Sequence, residues 1–342
     1  MSDPGLETAR AAGLEYVSDE DGPCVRRRRR GRGWEYTGPD GERIADPDER
    51  ARIDAIAIPP AWTDVWICPT GDGHILATGR DSKGRKQYRY HPDFRAARDE
   101  TKFHRMAAFG ASLPHVRRTT EAHLATRGLG REKVLALVVT LLDRTLIRIG
   151  NDASAEEGVS FGLTTLREEH VDVDGSTIHL SFHAKGGAEH ETAVRDARLA
   201  RVVRRCDELG GDELFAYESD DGRLVDVGSS DVNEYLRELT GEDVTAKHFR
   251  TWGGTVEAVR SLAEQGWDDD LAERERRVLV AVDAAAERLA NTRAVARASY
   301  VHPAVPDSYH DGLLDKTWRS SQGRGRLARA ERTLIEILRA TA

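Results

Sequence analysis

Between about residues 25 and 87, apolar positions fall in short alternating runs broken by turn residues, the period of strands. WEYTGPDGERI (34–44) sets a Pro-Asp-Gly turn between two such runs and predicts a hairpin. DVWICPTGDGHILATGRD (64–81) predicts a second hairpin, turning at 70–73. Between them Ile53, Ile56 and Ala57 predict a short helix within 46–58, stopped by Pro59 and Pro60. Residues 1–22 are polar and rich in Gly, Asp and Glu, the composition of a mobile arm.

Further on the period becomes helical. Val134, Leu135, Val138, Leu141, Leu142, Thr145 and Ile149 form a stripe along a helix over 131–149. HVDVDGSTIHLSFHAKGGAEHETAV (170–194) alternates around Asp-Gly and Gly-Gly turns and predicts a three-stranded meander. Helices are then expected over 196–209, 230–240, 247–265, 271–290 and 292–301, with Ser230 or Asp231 capping the second. The pattern predicts an α+β fold: a small N-terminal antiparallel β-sheet domain (1–92) and a larger, mainly helical domain (93–342) with a β insertion. Residues 320–342 read as a C-terminal tail helix. No internal repeat is visible.

Composition narrows the class. The chain has 342 residues, 39% hydrophobic, enough for two domains with packed cores. No run approaches the ~18–20 apolar residues of a membrane helix, and the N-terminus lacks the apolar core of a secretory signal, so a cytoplasmic protein is expected. Cys24, Cys68 and Cys206 lie far apart without a CxxC pair, which argues against a disulfide scaffold or zinc ribbon. Lys and Arg number 51 against 59 Asp and Glu, a net charge of −8 that argues globally against a polyanion partner. Its distribution points the other way. Residues 80–118 carry eleven Lys or Arg against four Asp or Glu, and Arg26–Arg30 form a second basic run. A basic stripe on an acidic body suits a protein that grips nucleic acid along one surface; it also suits an acidic host proteome.

Five polar residues of the helical domain make a chemical set: Arg148 in LIRIGND, Lys185 in HAKGGAEHE, Arg250 in TAKHFRTWGG, Asn291 in RLANTRAV and Tyr300 in RASYVHPAV. Singly, each has an ordinary structural reading: a helix-end Arg, a solvated turn Lys, a packed Tyr. Together they fit phosphodiester transfer. A phenol (pKa about 10) is a better nucleophile and leaving group at phosphorus than a serine hydroxyl. Bidentate Arg groups clamp the negative charge of the transition state, and a Lys of lowered pKa can protonate the leaving sugar oxygen.

On these motifs the sequence resembles bacterial, poxvirus-like type IB DNA topoisomerases. GRGWEYTGPDGERI, IPPAWTDVWICP, GHILATGRDSKGRKQYRYHPDF, LIRIGND, SFGLTTLREEH, HAKGGAEHE, DVNEYLRELTGEDVTAKHFRTWGGT and LANTRAV…SYVHPAV carry the resemblance in order along nearly the whole chain. It implies a C-shaped clamp around duplex DNA; transfer to a tyrosine hydroxyl needs no metal or small-molecule cofactor, the phosphotyrosine linkage stores the bond energy so no ATP is required, and one chain with the full set is expected to act as a monomer. Tyr300 would take the DNA 3′-phosphate, Arg148 and Arg250 would hold that phosphate, and Lys185 would be the general acid. Asn291 stands where viral and eukaryotic relatives have His; its amide can donate a hydrogen bond but not share a proton, so it is expected to stabilise. Two departures stand out. Arg293 replaces the Pro common after the Asn-Thr pair, and NDASAEEGVS (151–160) lacks an aromatic residue common in that loop.

Arg80, Lys83, Arg85 and Lys86 surround Tyr88 and Tyr90 in the segment that the resemblance assigns to DNA contact. The plainer reading makes the tyrosines alternate residues of a strand with one face packed. Arg26–Arg30 fit either an arm along DNA or a solvated strand edge. His170, His179 and His183 lack the further converging ligands that a metal site needs. Two other functions share much of this pattern. A tyrosine recombinase uses a related Arg-Lys-Arg-Tyr set but generally has a helical N-terminal domain and a His where Lys247 stands, and a non-catalytic DNA clamp would keep the fold without the activity.

Overall fold

Five short antiparallel strands in the order β2-β1-β3-β4-β5 make the sheet of the first of two units, Met1–His104 and Arg105–Ala342, in this computed structural model. The structure describes residues 4–20, 22–31, 33–150, 160–185, 187–219 and 221–341. The strands are β1 (Val25–Arg30), β2 (Gly33–Thr37), β3 (Thr63–Ile67), β4 (Ile75–Arg80) and β5 (Lys86–Tyr90). One face packs Val25, Tyr36, Val65, Ile67 and Ala77 against Ile53 of the helix Pro47–Ala55. That helix begins where the sequence signals it: the Asp46 carboxylate accepts the Asp48 amide at 2.9 Å and Pro47 occupies the first turn. The opposite face carries a smaller cluster of Trp66, Cys68 and Ile75.

The predicted hairpin over 64–81 is β3–β4, with Ile67 facing Ala77. The hairpin over 34–44 shrinks to a turn, with Thr37 bridging Arg43, because β2 pairs along its length with β1, from Arg26↔Thr37 to Arg30↔Gly33. The run Arg26–Arg30 is therefore a strand and not an arm; β3 pairs with β1 only at Val25 and Arg26, so Arg27–Arg30 are paired on the β2 side alone. Its alternation splits the arginines. Arg27 lies 4.1 Å from the Trp34 ring and donates to the Ile58, Pro59 and Trp62 carbonyls, whereas Arg28 and Arg30 share the Glu35 carboxylate.

The expectation of a mobile arm over 1–22 needs correcting for its described residues. Pro4–Ala11 is a helix with Ala9 fully buried. Glu15 exchanges main-chain hydrogen bonds with Asp72 and His74 at 2.9 and 2.8 Å, and Val17 packs on Trp66, Cys68 and Ile75. Asp19 accepts the Thr78 hydroxyl at 2.7 Å and pairs with Lys86 at 2.8 Å. Composition hides this segment because two apolar side chains and a set of polar bonds, not a periodic stripe, hold it.

The second unit is built around the helix Arg131–Thr145, whose Val134 to Val139, Leu141 and Leu142 are all buried. A helix apolar on every side belongs at a centre. Met106–Leu124, Ser229–Thr240, Ala246–Gln265 and Ala197–Asp207 pack around it. The meander appears as β6 (Val171–Asp174), β7 (Thr177–His183) and β8 (Glu189–Arg195), and β9 (Ala216–Glu218) pairs with β10 (Leu224–Asp226). Leu271–Arg288 lies along Ala246–Gln265, followed by Arg293–Ser299, Ala304–His310, Leu313–Ser320 and Arg329–Ala340. The last of these, read as a tail, is a core element: Thr333, Leu334 and Ile337 are fully buried. Met106–Leu124 was masked in the sequence by its basic residues, yet buries Phe109, Leu113 and Val116. The fold is α+β. Among the described residues no helix is long and apolar enough to cross a membrane.

Candidate active site

The helix predicted over 131–149 ends early. Leu146 adopts a left-handed conformation (φ 58°), so Ile147, Arg148 and Ile149 leave the helix as irregular chain. A left-handed leucine is unfavourable, and its surroundings hold it there. Its carbonyl accepts Nη1 of Arg250, and Arg288 donates to the Thr145 and Arg144 carbonyls. Two guanidinium groups thus satisfy the last carbonyls of the central helix and complement its dipole. Beyond the turn, the Arg148 carbonyl accepts the Leu163 amide at 2.8 Å, and Ile149 accepts that of Thr164 at 2.7 Å. Gly162 crosses Gly150 so closely that a Cβ on Gly162 would lie 2.4 Å from the Gly150 nitrogen, which explains the glycines around Arg148.

Asn291 is presented in the same way. The helix Leu271–Arg288 closes through Leu289 and a left-handed Ala290 (φ 48°), and the Asn291 amide returns to the Ala286 carbonyl at 2.9 Å. Arg250 reaches this turn as well: its Nη2 donates to the Leu289 carbonyl at 3.0 Å. One side chain therefore stitches together the two turns that present Arg148 and Asn291. Arg148 Nη2 then donates to Asn291 Oδ1 at 2.7 Å.

Tyr300 ends the helix Arg293–Ser299, which Thr292 caps by accepting the Val295 amide. The Arg250 guanidinium lies 5.1 Å from the Tyr300 ring centroid. The motif RTWGG explains how the two can approach. A Cβ on Gly253 would lie 2.4 Å from Leu146 Cδ1, and one on Gly254 would lie 2.7 Å from Leu289 Cδ1 and 3.3 Å from Tyr300 Cβ. Trp252 fills the other side, against Gly110, and its indole donates to Glu331 at 3.1 Å. Glu331 is held by Arg117, which also binds Asp143 at 2.7 Å.

The electrostatics are those of a buried cationic site. Arg250 is only 5% exposed, and among the described residues no carboxylate pairs with it or with Arg148. Burial pulls the Arg250 pKa down, opposed by Tyr300. For Tyr300, burial alone would push the phenol upward. The charge and hydrogen bond of Arg250, with the charges of Arg148 and Lys247, more than offset it and bring the phenol below its usual range. Arg250 Nε and Asn291 Nδ2 are buried without a hydrogen-bond partner.

Four of the five sequence-selected residues thus come together. Lys185 does not join them: it is exposed at the tip of the β7–β8 hairpin, and among the described residues no hydrogen bond or ion pair links it to the other four. Arg293 forms a bidentate pair with Asp283. Most of NDASAEEGVS lies outside the described residues. His170 Nδ1 accepts the Arg167 amide at 3.0 Å, and among the described residues no group of three His, Cys, Asp or Glu side chains could hold a metal. The sequence reading missed Lys247 as a contributor to the phenol, and Gly253 and Gly254 as the residues that admit Leu146 and Tyr300. The adjacent glycines inside a predicted helix were the available signal.

In the first unit, Arg80, Lys83, Arg85, Lys86, Tyr88 and Tyr90 lie on the β4–β5 hairpin, with Arg80 facing Lys86 and Thr78 facing Tyr88. Tyr88 is 41% exposed and stacks 5.7 Å from Tyr90, which in turn stacks on Phe94. Arg80 lies 3.7 Å from Asp64, Arg85 clasps Asp81 and Lys86 pairs with Asp19. Lys83 is exposed, its amide on Asp81.

Residues 91–322 match the family model of the eukaryotic DNA topoisomerase I catalytic core, and residues 33–81 match that of the bacterial DNA topoisomerase IB N-terminal domain. The chain belongs to the type IB DNA topoisomerase family. It is 30% identical over 257 residues to DNA topoisomerase 1B of Acanthamoeba polyphaga mimivirus, covering 73% of this chain and 76% of that protein. DNA topoisomerase 1 of Mycosarcoma maydis is 26% identical over 191 residues, and that of Daucus carota 27% over 153. These matches cover 51% and 42% of this chain, but 18% of each of those longer proteins.

Proposed function

We propose that the chain relaxes supercoiled duplex DNA by transient cleavage of one strand through a 3′-phosphotyrosyl intermediate. The observation that carries this reading is the pair of carboxylate-free arginines, one of them buried, beside a tyrosine whose phenol they acidify. A buried guanidinium without a counter-ion is costly, and a phosphodiester supplies the compensating charge. Arg148 and Arg250 clamp the non-bridging oxygens, and the Asn291 amide adds a neutral donor. Tyr300 gives up its phenolic proton to solvent and attacks phosphorus as the phenolate, the bond to the 5′ oxygen breaks, and that oxygen takes a proton from Lys185. The freed 5′ end turns about the intact strand; its hydroxyl then displaces Tyr300 and restores the phosphodiester. One phosphoester bond is made for each one broken, so the cycle needs no ATP; the arginines take the charge-stabilising role that a metal would otherwise serve, and a single chain carries the whole set as a monomer. Lys185, on its exposed hairpin, reaches the leaving oxygen in the DNA complex, and the Tyr88 hairpin supplies phosphate and groove contacts.

The test is relaxation of positively and negatively supercoiled plasmid in EDTA without ATP. Wild type should relax both signs, and Tyr300→Phe neither, while retaining DNA affinity. Sustained relaxation by Tyr300→Phe would overturn the assignment.

A further inference from the structure

His190 lies on β8, directly across from Phe182 of β7, with the two rings 5.3 Å apart. This strand pair is tied to the segment that carries Arg148. The His183 carbonyl accepts the Phe161 amide at 2.8 Å, and two residues on, the Leu163 amide holds the Arg148 carbonyl. The β8 strand also packs on the central helix Arg131–Thr145. His190 Nε2 is buried and has no hydrogen-bond partner among the described residues, as is true of Asn291 Nδ2 and Arg250 Nε. Buried polar atoms are satisfied in the great majority of cases, so an open donor on the strand pair tied to the Arg148 segment, like those of Asn291 and Arg250, points to an external acceptor. Burial, then the charges of Arg250, Arg148 and Arg288, depress the imidazole pKa and keep the ring neutral. A neutral ring can carry its proton on Nε2 and serve as a donor without adding charge.

We propose that His190 Nε2–H donates a hydrogen bond to a non-bridging oxygen of the scissile phosphate, making His190 a further catalytic residue beside Arg148, Arg250 and Asn291. This rests on the reading of the site given above. The donor acts on charge that grows in the transition state, so it accelerates cleavage and rejoining with little effect on binding.

The experiment uses the full chain and a duplex carrying a cleavage site mapped with wild type, truncated so that cleavage traps the covalent complex. Single-turnover rates are compared for wild type, His190→Ala and His190→Gln. They are measured with the natural phosphate and with each methylphosphonate diastereomer, in which a methyl group replaces one non-bridging oxygen. His190→Ala should slow cleavage of the natural phosphate by about 10²-fold, leaving DNA affinity nearly unchanged. On one diastereomer the ratio of wild type to His190→Ala should collapse to about 3-fold or less, because the accepting oxygen is gone. His190→Gln, which can still donate, should recover part of the rate. An unchanged rate for His190→Ala, or an equal loss on the phosphate and both diastereomers, would overturn direct donation. A wild type that forms no covalent complex, or a Tyr300→Phe variant that does, would instead overturn the reading of the site itself.

Discussion

The hydroxyl of Thr255 lies 2.8 Å from the carbonyl oxygen of Tyr300 and donates to it, while accepting the amide of His302 at 3.2 Å. One fully buried side chain of the helix that carries Arg250 thus anchors the main chain on both sides of the proposed nucleophile. The same hydroxyl lies 2.8 Å from the Thr251 carbonyl, so its proton is shared within its own helix. Thr255→Val keeps the shape and removes these bonds to the Tyr300 carbonyl and the His302 amide. The expected result is a stability loss of roughly 1–3 kcal/mol. Because a small displacement from attack geometry is costly, cleavage should slow by about 10²-fold, with DNA affinity retained. Thr255→Ser should restore most of the rate in the same single-turnover assay.

Gly254 permits the close approach of Leu289 and Tyr300, and Gly254→Ala puts a methyl group 2.7 Å from Leu289 Cδ1 and 3.3 Å from Tyr300 Cβ. Alanine in a helix gains up to about 1 kcal/mol over glycine, whereas overpacking costs about 1–3 kcal/mol. Thermal stability should therefore change modestly while covalent-complex formation falls steeply. A variant with wild-type cleavage would show that Tyr300 does not need this clearance.

The pH dependence of cleavage follows from the phenol. Burial raises the Tyr300 pKa, but Arg250, Arg148 and Lys247 lower it by more, so the phenolate of the proposed nucleophile is more accessible than that of a free tyrosine. The cleavage rate should rise with pH and level off below the ordinary phenol value of about 10. Arg148→Ala removes one of the lowering charges and should move the midpoint upward. A pH–rate profile of single-turnover cleavage checks both the sign and the shift.

Glu331 ties the last helix to the core through Arg117 and the Trp252 indole, and caps its own helix by accepting the Ala328 amide. Burial acts to raise its pKa, but these partners lower it overall. The carboxylate's contribution to stability is therefore complete above its ordinary value near 4.5 and is lost as pH falls through the depressed folded value. Glu331→Gln should cost about 2–4 kcal/mol at neutral pH, moderated because Arg117 keeps Asp143. Denaturant unfolding at pH 7 and pH 4 should show the gap between wild type and variant narrowing on the acid side.

In the first unit, Asp19 pairs with Lys86 at 2.8 Å, so on the proposed DNA-contact role of that lysine it competes with phosphate. Asp19→Asn should free that ammonium and remove a like charge from the phosphate's path. Affinity for duplex DNA should rise by about 2- to 5-fold at low salt, and the slope of log affinity against log salt should steepen by up to about one. Fluorescence anisotropy over a salt series measures both.

By itself the sequence determined the α+β class, the β3–β4 hairpin, the meander and most helices of the second unit. These are encoded locally, in periodicities of two and 3.6, in turn residues and in caps such as Asp46, Asp196 and Thr292. Only the tertiary structure decided how the site is assembled. The left-handed ends at Leu146 and Ala290 carry no glycine or asparagine to announce them. Distant partners stabilise them: Arg250 donates to the carbonyls of Leu146 and Leu289, 104 and 39 residues away in sequence. The two glycines after Trp252, an unfavourable pair by helix propensity, become intelligible once Leu146, Leu289 and Tyr300 are seen against them. The pairing of Arg26–Arg30 with β2, and the docking of Ala9 and Val17, were settled in the same way, by contacts whose energy belongs to the assembled unit and leaves no periodic mark on the chain.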